Sequence, residues 1–267
     1  DAFRDWYLLP MLGCIWSCPT DQMLQFPVAT MIRFCHNHGL IQVNNRPQWY
    51  TVAGGARHYV EKILEGIADK RLSTPVLRIE RDAHSVTLQT QHGVERFDKV
   101  ILASHADQSL AMLAEPTAQE AATLGAIRYH PNRAVLHTDT SVMPNKKLAW
   151  AAWNYERAAH DSTESTRVCL HYWLNLLQPL PFNQDVIVSL NPVRNIDPAH
   201  VLGEYEYAHP VFDLPAIQAQ TDMPHLQGQQ HTWYAGAWMG YGFHEDGFKA
   251  GRDAAQHLLA TLNTHSA

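Results

Sequence analysis

The feature that most constrains the fold is a continuous apolar run within residues 98–104, DKVILAS. Such a run is typical of a strand that is buried on both faces of a parallel sheet. Helical patterns follow it at about 107–113 and 117–124. We therefore predict that this part of the chain belongs to a parallel-sheet domain.

The sequence pattern changes near residue 129. From there, apolar and polar residues alternate in short segments separated by polar loops. Alternation of this kind predicts half-buried strands and a largely antiparallel sheet. The predicted strands of this lobe are 134–138, 148–155, 168–174 and 186–190, with a polar loop at 157–166. An earlier pair of short strands is predicted at 76–80 and 86–90.

Two helices carry apolar stripes that we expect to be buried. The first follows Gly54-Gly55, and its stripe consists of Val60, Ile63, Leu64 and Ile67. The second spans about 244–262, and its expected buried residues are Phe248, Ala255, Leu258, Leu259 and Leu262. A shorter helix is predicted after Pro215, and a strand at 231–235.

Composition excludes several classes of protein. The net charge is −6, so the chain lacks the basic surface that nucleic-acid binding requires. No apolar run approaches the roughly 20 residues that span a bilayer. The four cysteines are scattered, which favours reduced thiols and a cytoplasmic location.

Two glycine-rich turns each precede a helix, at Gly54-Gly55 and within 236–247, GAWMGYGFHEDG. Glycine lets the main chain approach a ligand closely, and a helix start offers unpaired N–H groups. A bound nucleotide-like cofactor is one interpretation. A glycine-rich turn ahead of a C-terminal core helix is the other, and the local sequence leaves both open.

The order of these motifs resembles that of flavin-containing amine oxidases and phytoene-desaturase-like oxidoreductases. Residues 33–40 (RFCHNHGL), 46–49 (RPQW) and 236–247 are similar to bacterial NAD/FAD-binding proteins of that superfamily. The resemblance implies an α/β (α+β overall) fold, in which an incomplete FAD/NAD(P)-binding Rossmann-like domain is interleaved with a mainly antiparallel-sheet substrate domain. The implied segments are 1–50 and 127–228 for the substrate domain, and 51–126 and 229–267 for the FAD-binding domain.

The resemblance also implies a set of site residues. Backbone N–H groups near Phe243 and His244 would stabilise negative charge on a reduced flavin, and the backbone of Val76 would meet the adenine. Arg133 corresponds to a lysine that holds a water near the flavin. The implied cofactor-binding residues are Gly54, Gly55, Val76, Gly236, Ala237, Gly242, Phe243, His244 and Glu245, and the implied catalytic residues are Arg133 and Phe243.

Three departures from the family pattern bear on function. Ala237 stands where many relatives carry an acidic residue, and Phe243 stands where amine oxidases often carry a tyrosine. No Gly-x-Gly-x-x-Gly follows a strand anywhere in the chain, and that motif cradles the pyrophosphate in this family. The chain opens on Asp1 with an apolar stretch, so we expect a preceding part of the protein to carry it.

These observations predict an FAD-dependent oxidoreductase that moves hydride from a C–H or C–N centre of a small molecule to flavin N5, with an apolar substrate favoured. The alternatives are a non-catalytic binding fragment that cannot hold FAD alone and a histidine-rich metallohydrolase. His36 and His38 do not predict a metal site, because a site needs three or four converging ligands. Oligomeric state is not indicated.

Overall fold

The computed structural model describes residues 2–157 and 169–264. The predicted loop at 157–166 therefore lies almost wholly outside the described residues. The α-helices are α1 (Leu9–Trp16), α2 (Val28–Asn37), α3 (Arg57–Leu64), α4 (Ala106–Met112), α5 (Ala118–Gly125), α6 (Leu174–Leu177), α7 (Leu214–Asp222) and α8 (His244–Thr264). The strands are β1 (Val76–Arg81), β2 (Val86–Thr90), β3 (Gly93–Phe97), β4 (Val100–Leu102), β5 (Tyr129–His137), β6 (Trp153–Glu156), β7 (Cys169–Trp173), β8 (Ile187–Leu190), β9 (Val201–Pro210) and β10 (Thr232–Tyr234).

The chain forms two compact units, each assembled from two stretches of sequence. Unit 1 comprises residues 1–70 and 130–209, and unit 2 comprises 71–129 and 210–267. These units differ from the expected segments at 51–70 and 210–228. The second difference has a clear cause, since α7 contributes Ala216 and Ala219 to the core of unit 2.

Unit 1 contains a five-stranded sheet in the order β6-β7-β8-β5-β9. The pairs β6/β7, β7/β8 and β8/β5 are antiparallel, as alternation in the sequence predicted. The strand expected at 148–155 is shorter, because Lys147–Ala149 forms a 3-10 turn and β6 begins at Trp153. β9 had not been predicted, because half of its residues are exposed and none is fully buried, so the strand lacks clear alternation.

Unit 2 contains the antiparallel sheet β1-β2-β3 and the parallel pair β10-β4. Its core includes Ile79, Leu124, Ile127 and Tyr234, all with less than 2% of their surface exposed. The expected parallel pairing is confirmed for the run at 98–104. Its burial on both faces is not, because Ile101 is 38% exposed.

One predicted helix face was wrong, and a second was wrong in part. In α3 no residue is buried, and Ile63 is 56% exposed. In α8 the buried positions are Ala250 and Ala254, and Phe248, Leu259 and Leu262 are exposed. Of the other two residues expected to be buried, Ala255 is half-buried and Leu258 is partly buried against the core. Small alanines allow α8 to pack closely against Trp233 and Ala235 of unit 2, so they form the inner face instead of the larger side chains.

None of the described helices combines the length and apolar character that crossing a bilayer requires.

Candidate functional site

The glycine-rich turn that leads into α8 is anchored by side chains of unit 2. The Gln220 amide donates to the carbonyl oxygens of Trp238 and Gly240 at 2.8 and 2.7 Å. The Trp238 indole N–H donates to the Ser104 carbonyl, in the loop after β4, at 3.1 Å. The turn is therefore held in one conformation by bonds to α7 and to the end of the parallel strand pair.

Asp246 caps the start of α8 from within the helix. Its Oδ2 accepts hydrogen bonds from the backbone N–H groups of Tyr241 and Phe243, at 3.1 and 3.0 Å. The N–H of Phe243 is thus bonded to a carboxylate of this chain. This bond engages one of the two N–H groups expected to stabilise negative charge on a cofactor, because a backbone N–H donates strongly to one acceptor at a time, and the expected role of Phe243 and His244 stays a prediction.

The space beside three glycines of this turn is filled by the protein itself. A Cβ at Gly236 would collide with the Trp238 indole, and one at Gly240 would lie 2.5 Å from an Asp246 oxygen. Gly242 has φ +93°, and its added Cβ would lie 3.2 Å from the Phe212 ring. Here the small residues make room for neighbouring side chains, and the expected close approach of a ligand to this main chain stays a prediction.

The other expected residues of the turn lie at or near its surface. Ala237 is half-buried at the start of a 3-10 turn, Ala237–Met239. The Phe243 ring is 38% exposed, and His244 is exposed at the first position of α8. Glu245 is exposed and forms an ion pair with Lys249 at 3.3 Å, one turn along the helix.

Gly54 and Gly55, in unit 1, differ from each other in their surroundings. Both have positive φ, at +78° and +94°, which favours glycine. A Cβ at Gly54 would collide with the His58 ring, whereas no atom lies within 4 Å of a Cβ placed at Gly55. Gly55 is therefore the expected glycine whose backbone a ligand can approach.

Val76 and Arg133 lie on strands. Val76 begins β1 of unit 2, pairs with Thr90 and packs against the core of that unit. Arg133, on β5 of unit 1, is exposed, and its guanidinium forms an ion pair with Glu204 at 2.8 Å. Arg133 and Glu204 also line a cavity of about 560 Å³ in unit 1. The role of Arg133 near a cofactor stays a prediction.

The His36 and His38 pair does not form a metal-ligand pair in the structure. His36 lies in α2, which ends at Asn37, and His38 Nδ1 lies 2.9 Å from the Phe34 carbonyl oxygen. The two rings therefore do not share one side of a strand.

Sequence reasoning missed a buried polar row in the sheet of unit 1. His137 Nε2 and His171 Nδ1 both lie 2.6 Å from Ser189 Oγ, and His171 Nε2 lies 3.0 Å from Glu156 Oε2. The Asp139 backbone N–H donates to His137 Nδ1 at 3.2 Å. The signal that would have revealed the row is the placement of polar residues at core-facing positions of apolar strands.

The hydrogen bonds of the polar row determine which ring nitrogen of His137 and of His171 carries the proton. Because His137 Nδ1 accepts from a backbone N–H, its proton lies on Nε2 and is donated to Ser189. The Ser189 hydroxyl then donates to His171 Nδ1, so His171 donates from Nε2 to Glu156. Burial lowers the pKa of both His137 and His171, and both rings are therefore neutral near pH 7.

A second buried network in unit 2 is structural. The Arg81 guanidinium donates to both Glu120 oxygens, at 2.5 and 2.9 Å, and Tyr234 Oη donates to Glu120 Oε1 at 2.6 Å. Burial acts to raise the pKa of Glu120, but these hydrogen bonds outweigh it and the pKa is lowered. Glu120 also closes a capping box with Thr117 at the start of α5. The network joins β1, α5 and β10.

Comparison with known proteins identifies the family. A family model described as flavin containing amine oxidoreductase matches residues 21–185, well over half of the chain. The chain belongs to this family, a class of flavin-dependent oxidoreductases. The matched range includes Gly54, Gly55, Val76 and Arg133, and it stops short of the turn before α8. The comparison with curated proteins gives no match.

Solved structures with the same fold include a putative protoporphyrinogen oxidase from Exiguobacterium sp. 255-15, with 14% identity, a TM-score of 0.65, and coverage of 97% of this chain and 64% of that one. Cyclohexylamine oxidase from Brevibacterium oxydans IH-35A has 12% identity, a TM-score of 0.62, and coverage of 96% and 64%. A reduced UDP-galactopyranose mutase has 15% identity, a TM-score of 0.61, and coverage of 98% and 66%. The chain thus spans less than two thirds of the length of these proteins, and at such identities the likeness shows the fold alone.

Proposed function

We propose that this chain forms part of an FAD-dependent oxidoreductase that removes hydride from a C–H or C–N centre of a small molecule. The observation that carries the proposal is Gly55. It lies inside the family match, it has a backbone conformation that suits glycine, and the space beside it is open. A bound flavin would supply the redox chemistry, while the protein supplies binding and orientation.

The open space at Gly55 suits a bound flavin, whereas the start of α8 suits only one part of the cofactor. The Gly55 N–H donates to the Val52 carbonyl at 2.9 Å, so Gly55 would contribute close approach and not a hydrogen bond. The positive end of the α8 dipole already faces Asp246 and Glu245. A phosphate is disfavoured beside these carboxylates, whereas the neutral polar edge of an isoalloxazine ring is compatible with them. We therefore assign α8 to the ring and not to the pyrophosphate.

An apolar substrate is favoured over an amine because of Phe243. Its ring is partly exposed at the start of α8, and it carries no hydroxyl group. It therefore offers apolar contact where a tyrosine would add a hydrogen bond. An amine with an oxidisable C–N bond is the second candidate, and it rests on the family to which the chain belongs.

The test begins with the purified chain and a titration of FAD, followed by flavin fluorescence. FMN serves as the comparison, because only FAD carries the adenylate. Because the chain lacks the glycine motif that cradles the pyrophosphate, we expect weak FAD binding in the wild-type chain and still weaker binding in Gly55→Val. Gly93→Val is the matched control, since Gly93 also has positive φ and open space but is the first residue of β3 in unit 2. Equal loss in both variants would indicate backbone strain and contradict the role of Gly55.

The substrate class is tested by anaerobic mixing of the FAD-loaded protein with apolar C–H donors and with primary amines. Bleaching of the visible flavin absorbance by an apolar compound supports the proposal. Bleaching by amines alone supports the second candidate. A chain that binds no FAD supports the alternative of a non-catalytic binding module.

A further inference from the structure

Three potential metal ligands converge at the edge of the polar row in unit 1. Cys169 and His171 are two residues apart on β7, so their side chains project from the same face of the sheet. Glu156, on β6, is paired with Cys169 across the strands. Their ligand atoms all lie within 4.8 Å of one another, and Cys169 and His171 are at most 1% exposed.

The spacing of these atoms matches a tetrahedral ion. With zinc-ligand distances of about 2.0 to 2.3 Å, a tetrahedral ion places nitrogen and sulfur about 3.6 Å apart, and nitrogen and oxygen about 3.4 Å apart. Cys169 Sγ lies 3.5 Å from His171 Nε2, and Glu156 Oε2 lies 3.0 Å from the same nitrogen. Both separations are within about 0.4 Å of the tetrahedral values, and the sulfur and the carboxylate oxygen lie within 4.8 Å of each other.

Each of the three ligand side chains also contacts a residue outside the cluster. Ser189 Oγ lies 2.6 Å from His171 Nδ1, and Arg194 Nε lies 2.7 Å from Glu156 Oε1. Burial raises the pKa of the Cys169 thiol to about 12, and a hydrogen bond with the backbone of Val193 acts against this increase. Outer partners of this kind fix the orientation of metal ligands and tune their affinity.

We propose that Cys169 Sγ, His171 Nε2 and Glu156 Oε2 bind a thiophilic divalent cation such as Zn²⁺, with water as the fourth ligand. Thiolate, imidazole and carboxylate are the ligand types that zinc prefers, whereas magnesium and calcium require mostly oxygen. The Cys169 thiolate and the Glu156 carboxylate supply two negative charges to the ion. Half-exposed Arg194, which pairs with Glu156, adds one positive charge, so the loaded cluster keeps a net positive charge.

Binding involves proton movement and no change of oxidation state. The Cys169 S–H bond breaks, its proton leaves to solvent, and a sulfur–metal bond forms. The proton of His171 moves from Nε2 to Nδ1, where it is donated to Ser189. Because the Ser189 oxygen has two lone pairs, it accepts from both His137 and His171 in this state, and the Ser189 hydroxyl hydrogen rotates away from His171 Nδ1.

The test uses the reduced full chain after treatment with a chelator, titrated with Co²⁺. We expect one Co²⁺ per chain and a thiolate-to-cobalt charge-transfer absorbance that Zn²⁺ abolishes and Mg²⁺ does not. Absence of this absorbance in the wild-type chain overturns the proposal, without need of any variant. The test does not involve flavin, so its result is independent of the proposed oxidoreductase activity.

Two variants assign the site. Cys169→Ser is expected to lose the charge-transfer absorbance and to weaken Zn²⁺ binding by at least about tenfold, which outer-partner substitutions alone can produce. Cys35→Ser is the matched control, because Cys35 is also a buried thiol but lies on α2. Equal absorbance in wild type and Cys169→Ser would overturn the assignment. If Cys169→Ser fails to fold, as judged by circular dichroism, Glu156→Gln provides the same comparison through Zn²⁺ affinity.

Discussion

The Asp246 carboxylate lies 3.0 Å from the backbone nitrogen of Phe243, three residues before it in the chain. The same oxygen accepts the N–H of Tyr241. A side chain at the third position of α8 thus satisfies backbone donors just ahead of the helix. The stability of the turn before α8 therefore depends in part on this carboxylate, together with the hydrogen bonds of Gln220 and Trp238.

Substitution of Asp246 tests that dependence. Asp246→Ala removes the acceptor of two N–H groups, and we expect the free energy of unfolding to fall by about 1–2 kcal/mol in urea denaturation. Asp253→Ala is the control, because Asp253 is exposed on the same helix and pairs with its neighbour Arg252. The control should change stability by less than about 0.5 kcal/mol. Equal effects would contradict a specific capping role.

The buried ion pair of unit 2 predicts a large effect of removing one charge. Glu120→Gln leaves the Arg81 guanidinium buried without its counter-charge, so we expect a loss of about 3–5 kcal/mol in the free energy of unfolding. Glu80→Gln breaks the exposed Arg78–Glu80 pair and should cost less than about 1 kcal/mol. Similar values for the two variants would show that Arg81 reaches water or another anion once Glu120 is neutral.

The lowered pKa of Asp139 leads to a prediction about how the free energy of unfolding changes at acidic pH. Burial acts to raise its pKa, but hydrogen bonds from the Asp197 N–H and from Ser141 outweigh this and lower the pKa to about 2. Because the folded state holds the carboxylate ionised, its contribution of about 2 kcal/mol is present above pH 4 and is lost as pH falls from about 4 to 2. Asp139→Asn should remove that part of the pH dependence. An unchanged acid profile in the variant would refute the assignment.

The exposed face of α3 predicts tolerance to substitution. Ile63 is 56% exposed, so Ile63→Ala should change the free energy of unfolding by no more than about 0.5 kcal/mol. Ile79 is 1% exposed in the core of unit 2, and Ile79→Ala should cost about 2–5 kcal/mol. Thermal unfolding of the two variants measures and compares these losses of stability. A large loss for Ile63→Ala would mean that α3 is covered in solution.

Much of the fold was predictable because local patterns determine it. Alternating residues with turn signals predicted β1, β2 and the antiparallel strands of unit 1, and the apolar run predicted the parallel pairing of β4. Helix faces were less predictable, because the apolar residues of α8 permit more than one inner face. Packing against Trp233 and Ala235 selects the alanines, and such a choice depends on contacts that the local sequence does not contain.

The candidate site, like the fold, was predictable only in part. The glycine pair at Gly54-Gly55 was singled out by its chemistry, and the open space beside Gly55 agrees with the role proposed for it. The roles of Trp238 and Phe212 beside Gly236 and Gly242 could not be predicted, because a glycine in a sequence does not reveal what fills the space beside it. The row from His137 to Glu156 was also hidden, since it is assembled from four strands.

The parallel pairing of β4 with β10 joins residues 100–102 to residues 232–234. During synthesis on the ribosome, β4 emerges long before β10, and unit 1 receives its last strand in between. Until then, the core around Ile79 and Leu124 lacks the side chains that the later segment contributes to it, such as Ala216 and Tyr234. Unit 2 therefore completes its folding last, and its early half is the segment that chaperones have most reason to shield.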